Sequence, residues 1–115
     1  MALDIKRGDV LYCRLKSNGN IQGGVRPVVV VQNDIGNEYS PTTIIVPFTT
    51  KLKNATQPTH LLLNLPHGSN CVITNMLLAE QLTTINKRQL QSKVTHLSTE
   101  IMDQVDKKII ISLSL

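Results

Sequence analysis

The chain has 115 residues, a net charge of +4, and 41% hydrophobic against 17% charged residues. This composition excludes a disordered chain, and the length leaves room for one domain, so we expect residues 1–115 to form a single domain. We expect no signal peptide, and no apolar run approaches the roughly 20 residues that a bilayer span requires, so we expect a cytoplasmic protein without membrane contacts. The mild basic excess is compatible with a polyanionic partner such as RNA, although on its own it is ordinary.

Strand patterns dominate the chain up to about residue 97. We predict a first strand over Asp9–Leu15 and a second over Pro27–Gln32, where a continuous β-branched run indicates burial on both faces. Residues 33–41 are dense in turn formers and predict a connecting turn. A third strand is predicted over Thr42–Phe48. Pro47 inside it indicates an edge or a bulge, because proline cannot donate to a sheet ladder.

The second half of the chain predicts shorter strands and then one helix. The strands are expected over His60–Asn64, within 69–84 after a turn at 66–68, and over Lys93–Leu97. The periodicity then changes: Ile101, Val105 and Ile109 recur every four residues, which predicts an amphipathic helix that Ser98 or Thr99 can cap. Short strands followed by one helix predict a mainly β fold, namely a small barrel closed by a C-terminal helix.

The sequence offers little sign of a metal or cofactor site. Cys13 and Cys71 are far apart and lack metal-ligand spacing; a disulfide is possible, but buried reduced thiols are the favoured interpretation. Neither clustered carboxylates nor a nucleotide-binding motif occurs, so no metal and no cofactor are expected.

One candidate site is the segment from Gln22 to Pro27, which reads Gln-Gly-Gly-Val-Arg-Pro. Gly23 and Gly24 let a ligand approach the backbone closely, and Pro27 holds Arg26 in an extended conformation. A guanidinium group fixed in this way presents a planar fork that suits phosphate oxygens. The segment taken alone is more often a hairpin turn with a solvated arginine.

A second candidate follows the third strand. Thr49 and Thr50 end that strand, and Lys51 and Lys53 come directly after it, so hydroxyls and ammonium groups could bind a phosphate together. The alternative is a threonine-rich strand end that leads into a solvated loop, and threonine's preference for strands favours it.

The histidines are candidates for acid–base chemistry because imidazole titrates near neutral pH. His60 and His96 each stand in a Thr-His-Leu triplet within a strand pattern, and we interpret both as satisfied core or edge residues. His67 is interpreted as a turn residue.

At these residues the sequence resembles the MazF/PemK family of toxin ribonucleases. The similarity runs from about Ile5 to Leu115, and the ordered pair of a Gly-Asp-Val motif and a Gly-x-Arg-Pro-Val-Val motif is its most specific part. The matching stretches are Lys6–Val10, Gln22–Val29, Gln32–Asn37, Ser40–Thr42, Pro58–His60, Glu80–Gln81, Thr95–Leu97 and Ile111–Leu113.

The resemblance implies a homodimeric SH3-like β-barrel with a C-terminal helix. It further implies an endoribonuclease toxin that cuts single-stranded mRNA at short sequences and is silenced by a cognate antitoxin protein. The family's catalytic arginine falls on Arg26 and its catalytic threonine on Thr49, with the adjacent Thr50 as the other candidate.

Metal-independent RNA cleavage uses the ribose 2′-hydroxyl as nucleophile and leaves a 2′,3′-cyclic phosphate and a 5′-hydroxyl. Arg26 suits the stabilisation of charge on the phosphoryl oxygens. Thr49 suits orientation of the phosphate or the 2′-hydroxyl, but neither side chain is a comfortable general base, so the residue that takes the proton is not identified. Phosphate contacts are expected from the residues Thr50, Lys51 and Lys53, and base contacts from Gln22, Glu80 and Gln81 beside the open backbone of Gly23 and Gly24.

Three positions depart from the family pattern. Ile21 and Thr83 stand where many members carry glutamate and arginine, in regions expected to touch RNA, and Asn86 replaces a common aspartate. These departures leave the recognised RNA sequence open, as well as the identity of the antitoxin. Two rival functions also stay open: a non-enzymatic toxin on the same barrel that poisons a protein such as DNA gyrase, and a bare SH3-like interaction module.

Overall fold

A computed structural model describes residues 4–16, 19 and 23–115 of the chain. Within these residues, seven antiparallel strands form one sheet. The strands are β1 (Asp9–Leu15), β2 (Gly24–Val30), β3 (Thr42–Thr49), β4 (His60–His67), β5 (Cys71–Leu78), β6 (Thr83–Asn86) and β7 (Leu90–His96). Two α-helices, α1 (Asp34–Tyr39) and α2 (Thr99–Leu113), and two short 3-10 helices, Ala79–Gln81 and Lys87–Gln89, complete the described structure.

The sheet curls into a half-barrel. Its strand order is β4-β5-β3-β2-β1-β7, and β6 pairs with the first half of β3. The terminal strands β4 and β7 approach each other without hydrogen bonding, so the curl stops at an open seam between them. The prediction of a mainly β fold with a C-terminal helix is confirmed.

The alternating pattern of the strands builds two apolar layers. On one face of the sheet, Val10, Val29 and Phe48 pack with Met102 and Val105 of α2. The opposite face buries a second cluster of apolar side chains: Ile5, Leu11, Cys13, Val28, Val30, Ile45, Ile85 and Leu90. Because successive residues of β2 contribute to both clusters, the predicted burial of this strand on both faces is confirmed.

The third strand changes partners near its proline. On one side β3 pairs with β2 as far as Pro47. On the other side it pairs with β6 over Thr42–Ile45 and with β5 from Phe48 onward. Pro47 has no N–H to donate to a neighbouring strand. It lies where β3 changes its partner from β6 to β5, which agrees with the irregularity expected from the sequence.

Three local expectations need correction. Residues 33–41 contain helix α1 rather than only a turn, because the Asn33 side chain accepts a hydrogen bond from the Gly36 amide (2.8 Å) and caps a six-residue helix. Cys71 is exposed at the start of β5, whereas Cys13 is buried, and both thiols are free. The turn expected at 66–68 lies at residues 68–70, since β4 extends to His67.

Candidate active-site cleft

A cleft of about 550 Å³ lies at the end of the sheet where β3 has exchanged β6 for β5. Most of the candidate site residues named from the sequence line it: Gly23, Arg26, Thr49, Lys51, Lys53, Glu80 and Gln81. These residues come from the start of β2, the end of β3, the loop that follows β3, and the 3-10 helix Ala79–Gln81. The fold therefore gathers segments that are more than 50 positions apart in the chain.

Strand register explains why the key side chains share one face of the sheet. Val28 of β2 pairs with Pro47 of β3, and the two strands are antiparallel. Arg26 lies two residues before Val28 and Thr49 two residues after Pro47, so their side chains point to the same side of the sheet. Thr49 is paired with Met76 of β5, and Leu78 of β5 is paired with His60 of β4. Thr49 and His60 consequently face the same cleft, together with Arg26.

The backbone around Arg26 fixes how its side chain enters the cleft. Gly24 begins β2 with a φ of +76°, in the left-handed region that favours glycine. The Arg26 Nε atom donates a hydrogen bond to the Gly23 carbonyl oxygen at 3.2 Å. The half-buried guanidinium group is thus tied to the turn that precedes its own strand.

Thr49 is the last residue of β3, and it is only 4% exposed. Its hydroxyl oxygen accepts a hydrogen bond from the Lys51 backbone N–H at 3.1 Å. This bond turns the chain away from the sheet and starts the loop that carries Lys51 and Lys53 along the cleft.

That loop is closed by a compact set of hydrogen bonds. Asn54 has a φ of +57°, and its carbonyl oxygen accepts from the Gln57 backbone N–H at 3.0 Å. The same oxygen lies 2.8 Å from Nδ1 of His60, whose backbone N–H donates to the Gln57 carbonyl. Asparagine tolerates a positive φ better than most residues, which suits it to this corner.

The cleft carries a positive charge excess that suits a polyanion. Arg26, Lys51 and Lys53 line it together with a single carboxylate, Glu80, among the residues that the structure describes. Glu80 Oε2 lies 2.9 Å from His60 Nε2, and Glu80 Oε1 accepts from the Thr59 hydroxyl at 3.0 Å.

His60 is a satisfied, buried residue, as interpreted from the sequence, but its place in the cleft was not foreseen. Its triplet matches that of His96, and a strand pattern gives no sign of which histidine faces a cleft. The structure separates them: His60 is 7% exposed and lines the cleft, whereas the His96 side chain is 60% exposed and pairs with Asp9 elsewhere. What distinguishes the two histidines is the partner of His60, namely Glu80, which is 20 residues away in the chain.

Other candidate residues lie outside the lining of this cleft. Thr50 faces a second cavity of about 180 Å³ on the opposite side of the sheet, and Gly24 borders a shallow hollow with Arg14 and Leu15. Thr83 lies at the start of β6, in a separate depression. Gln22 and Ile21 fall outside the described residues.

Asn86 has a structural explanation. Its side chain accepts from the Arg88 backbone N–H at 2.9 Å, and its own backbone N–H donates to Gln89 Oε1 at 2.9 Å. Asparagine here caps the 3-10 helix Lys87–Gln89, and an aspartate side chain could accept the same hydrogen bond.

Across residues 4–16, 19 and 23–115, no group of three or more His, Cys, Asp or Glu side chains is arranged to hold a metal ion. No helix in this part of the chain is both long enough and apolar enough to span a membrane.

Comparison with known proteins gives consistent matches. Residues 6–113 match the family model described as "PemK-like, MazF-like toxin of type II toxin-antitoxin system". The chain is 45% identical over 113 residues to the protein named Endoribonuclease EndoA of Bacillus subtilis (strain 168), which covers 96% of both chains.

Solved structures match the fold at low sequence identity. A crystal structure of MazF from Deinococcus radiodurans superposes with a TM-score of 0.78 at 18% identity, covering 98% of this chain and 99% of that one. An endoribonuclease in complex with its cognate antitoxin, from a mycobacterial species, gives a TM-score of 0.74 at 20% identity and covers 96% of each chain.

Proposed function

This chain belongs to the PemK-like, MazF-like toxin family of type II toxin–antitoxin systems, and from that premise we propose that it is a metal-independent endoribonuclease. Its substrate is single-stranded mRNA, which it cuts at short sequences through attack of the 2′-hydroxyl on the adjacent phosphorus. The products are a 2′,3′-cyclic phosphate and a 5′-hydroxyl. The observation that supports this best is the meeting of Arg26 and Thr49 in one positively charged cleft.

Arg26 stabilises the negative charge that develops on the phosphoryl oxygens. Its guanidinium group stays protonated and offers a planar fork of donors, which a lysine ammonium cannot reproduce. Tethering to the Gly23 carbonyl holds the group in place before substrate arrives, so little reorganisation is needed during the reaction. Loss of Arg26 therefore lowers the cleavage rate strongly.

Thr49 orients the reacting groups, and the remaining polar residues hold the RNA. The Thr49 hydroxyl accepts from the Lys51 amide, so its own proton is available to a phosphate oxygen or the 2′-hydroxyl. Lys51 and Lys53 contact phosphates, while Glu80 and Gln81 contact base edges. Since the chain has only three aromatic residues, hydrogen bonding contributes more to base recognition than stacking does.

The protein acts as a cytoplasmic homodimer that a cognate antitoxin protein silences. Large apolar side chains are exposed in the last turn of α2 and just beyond it, including Ile111 (48%) and Leu115 (83%), and they supply apolar surface for association. The acidic segment expected of an antitoxin would compete with RNA for the cleft, which Arg26, Lys51 and Lys53 line. Light scattering at micromolar concentration should give the dimer mass, and a monomer mass would contradict the dimer.

One experiment tests the proposed activity. Purified protein is incubated with a long mixed-sequence RNA in excess chelator, and the ends of the fragments are identified by mass spectrometry. We expect cuts at a short recurring sequence with cyclic phosphate and 5′-hydroxyl ends. Fragments with 5′-phosphate ends, or activity lost to the chelator, would contradict the proposed chemistry. Intact RNA would favour a toxin with a protein target.

A further inference from the structure

Two side chains in the wall of the cleft, His60 and Glu80, lie within hydrogen-bond distance of each other. His60 Nδ1 lies 2.8 Å from the Asn54 carbonyl oxygen, and His60 Nε2 lies 2.9 Å from Glu80 Oε2. A carbonyl oxygen can only accept, so Nδ1 must carry a hydrogen. A second proton then lies between Nε2 and Oε2, whichever atom holds it, because two bare acceptors would repel each other at this distance.

These hydrogen-bond requirements determine which of the two side chains can take a further proton. If the shared proton left, the Nε2 lone pair would face a carboxylate, which is unfavourable in a half-buried site. An additional proton, in contrast, can enter on Glu80 while His60 keeps both of its hydrogen bonds. Both ring nitrogens of His60 are thus engaged, whereas the Glu80 carboxylate keeps lone pairs that a substrate hydroxyl can reach.

The other described side chains that line the cleft are unsuited to accepting a proton from the substrate. Arg26, Lys51 and Lys53 are the other charged groups that line it among the described residues, and all three are already protonated. Hydroxyl and amide groups such as those of Thr49 and Gln57 do not accept a proton near neutral pH. General-base catalysis requires a group that does.

We propose that Glu80, held between His60 and Thr59, is the general base that takes the 2′-hydroxyl proton, and that His60 is its positioning residue. This inference rests on the proposed function, since it needs an RNA substrate in the cleft. It gives Glu80 a role at the reacting atoms in addition to the base contact proposed above, and it supplies the proton acceptor that Arg26 and Thr49 lack.

The step balances as follows. The 2′-oxygen forms a bond to phosphorus and loses its proton to the Glu80 carboxylate, while the bond from phosphorus to the 5′-oxygen breaks. The 5′-oxygen takes a proton from solvent water, and Glu80 later releases its proton to solvent. The products are the cyclic phosphate and the 5′-hydroxyl, with no net gain or loss of protons.

Both Glu80 oxygens are fixed before the substrate binds. The Thr59 hydroxyl donates to Oε1 and in turn accepts from Gln57 Nε2 at 3.0 Å, so the donor is itself oriented. His60 holds the other oxygen, and its ring is anchored to the loop through Asn54. A carboxylate positioned on both sides needs less reorganisation to meet the 2′-hydroxyl.

The test compares three matched variants for rate and pH dependence. Glu80→Gln keeps the shape of the side chain but cannot take a proton, and His60→Gln removes the imidazole that positions it. His96→Gln is the control, because His96 has the same Thr-His-Leu context and also pairs with a carboxylate, Asp9, yet lies outside the cleft lining. Single-turnover rates, KM and cleavage maps are measured from about pH 3.5 to pH 9, so that the range includes the ordinary titration region of a carboxylate, with folding checked by thermal unfolding at each pH.

We expect Glu80→Gln to lower kcat by about 10²–10⁴-fold, the usual contribution of a general base, and to lose the acidic limb of the pH–rate profile. A change in KM or in the cleavage map reports the separate base contact of Glu80. His60→Gln should shift that limb and lower kcat, and His96→Gln should retain the wild-type profile. An unchanged acidic limb in Glu80→Gln would overturn the inference, as would a variant that alters only KM or the cleavage map, because Glu80 would then act solely in base recognition. Wild-type protein that leaves RNA intact would overturn the proposed function itself.

Discussion

Thr49 and Thr50 are consecutive residues, yet they line different cavities on opposite faces of the sheet. Successive side chains of a strand point to opposite faces of the sheet. Thr49 lies on the same face as its partner Met76, whereas Thr50 lines the other cavity together with Asn75. Arg26 borders both cavities, so its position alone does not select between the two threonines. The selection comes from the cleft, where the lysines and Glu80 accompany Thr49.

The two threonines give a matched pair of variants. We expect Thr49→Ala to lower the cleavage rate by about 10- to 100-fold, because a hydrogen bond to a charged group contributes about 1.5–3 kcal/mol. Thr49→Ser should restore most of the rate, since it retains the hydroxyl. Thr50→Ala should remain within about twofold of wild type. Single-turnover cleavage of one RNA oligonucleotide measures all three, and a larger loss in Thr50→Ala than in Thr49→Ala would reverse the assignment.

Arg26 should show a large effect on rate. We expect Arg26→Ala to lose about 10²–10³-fold in kcat, as for other charge stabilisers, with little change in melting temperature. Arg26→Lys should recover only part of the loss, because an ammonium group lacks the fork geometry. Arg88→Ala is the control, since Arg88 is exposed on a 3-10 helix away from the cleft lining. Equal rates in Arg26→Ala and wild type would disprove the role.

Asp9 should make folding stability depend on acid pH. Its carboxylate is 6% exposed and binds His96 Nδ1 (2.7 Å), the Lys6 amide (2.9 Å) and Lys93 Nζ (3.2 Å). Burial raises the pKa of Asp9, but the hydrogen bonds from His96, Lys6 and Lys93 together outweigh burial and lower it. The folded-state pKa therefore lies below the unfolded value of about 3.9, so this contribution is complete above that pH and is lost as the pH falls through the folded pKa.

Urea unfolding of Asp9→Asn tests this dependence. At pH 7 we expect a free energy of unfolding lower by roughly 1–3 kcal/mol, because hydrogen-bond partners are left unsatisfied. The difference from wild type should shrink as the pH falls below about 4. Asp103→Asn, on the exposed side of α2, is the control and should have a small effect throughout. A difference that stays constant from pH 7 to acid pH would show that the ionised carboxylate does not contribute.

The two cysteines should differ sharply in reactivity. Burial raises the pKa of the Cys13 thiol to about 11, and reaction with thiol reagents requires the thiolate. Cys71 is exposed. A disulfide reagent should therefore modify one thiol rapidly in the native protein and the second only after unfolding. Cys71→Ser should abolish the rapid phase, and two equally fast thiols would contradict the burial of Cys13.

The sequence was most informative where a residue's neighbours in the chain decide its structure. The strand Asp9–Leu15 and the C-terminal helix were predicted correctly, and of the two caps left open, Ser98 and Thr99, the structure uses Ser98, because alternation and capping are local signals. Helix α1 was missed, since six residues are too few to establish a period and Asn33 favours turns and helix caps alike.

The site shows the same division. Arg26 and Thr49 were identified through resemblance to a known family, and their roles stay predictions. His60 could not be distinguished from His96, because the difference between them is a contact with Glu80 that only the folded sheet creates. Cys71 was expected to be buried on residue type alone, whereas its place beside the hairpin turn at 68–70 exposes it.

The pairing of the first strand with the last has a consequence for synthesis of the protein. Asp9 contacts His96 across 87 positions, and Arg7 reaches Asp106 of α2 across 99. Because a chain emerges from the ribosome with its N-terminus first, β1 has no partner on its outer side until nearly all of the protein has been made. We therefore expect the enzyme to become active only around the time of its release from the ribosome. The incomplete chain is inactive during synthesis, so an inhibitor present at release can bind the protein as soon as it has folded.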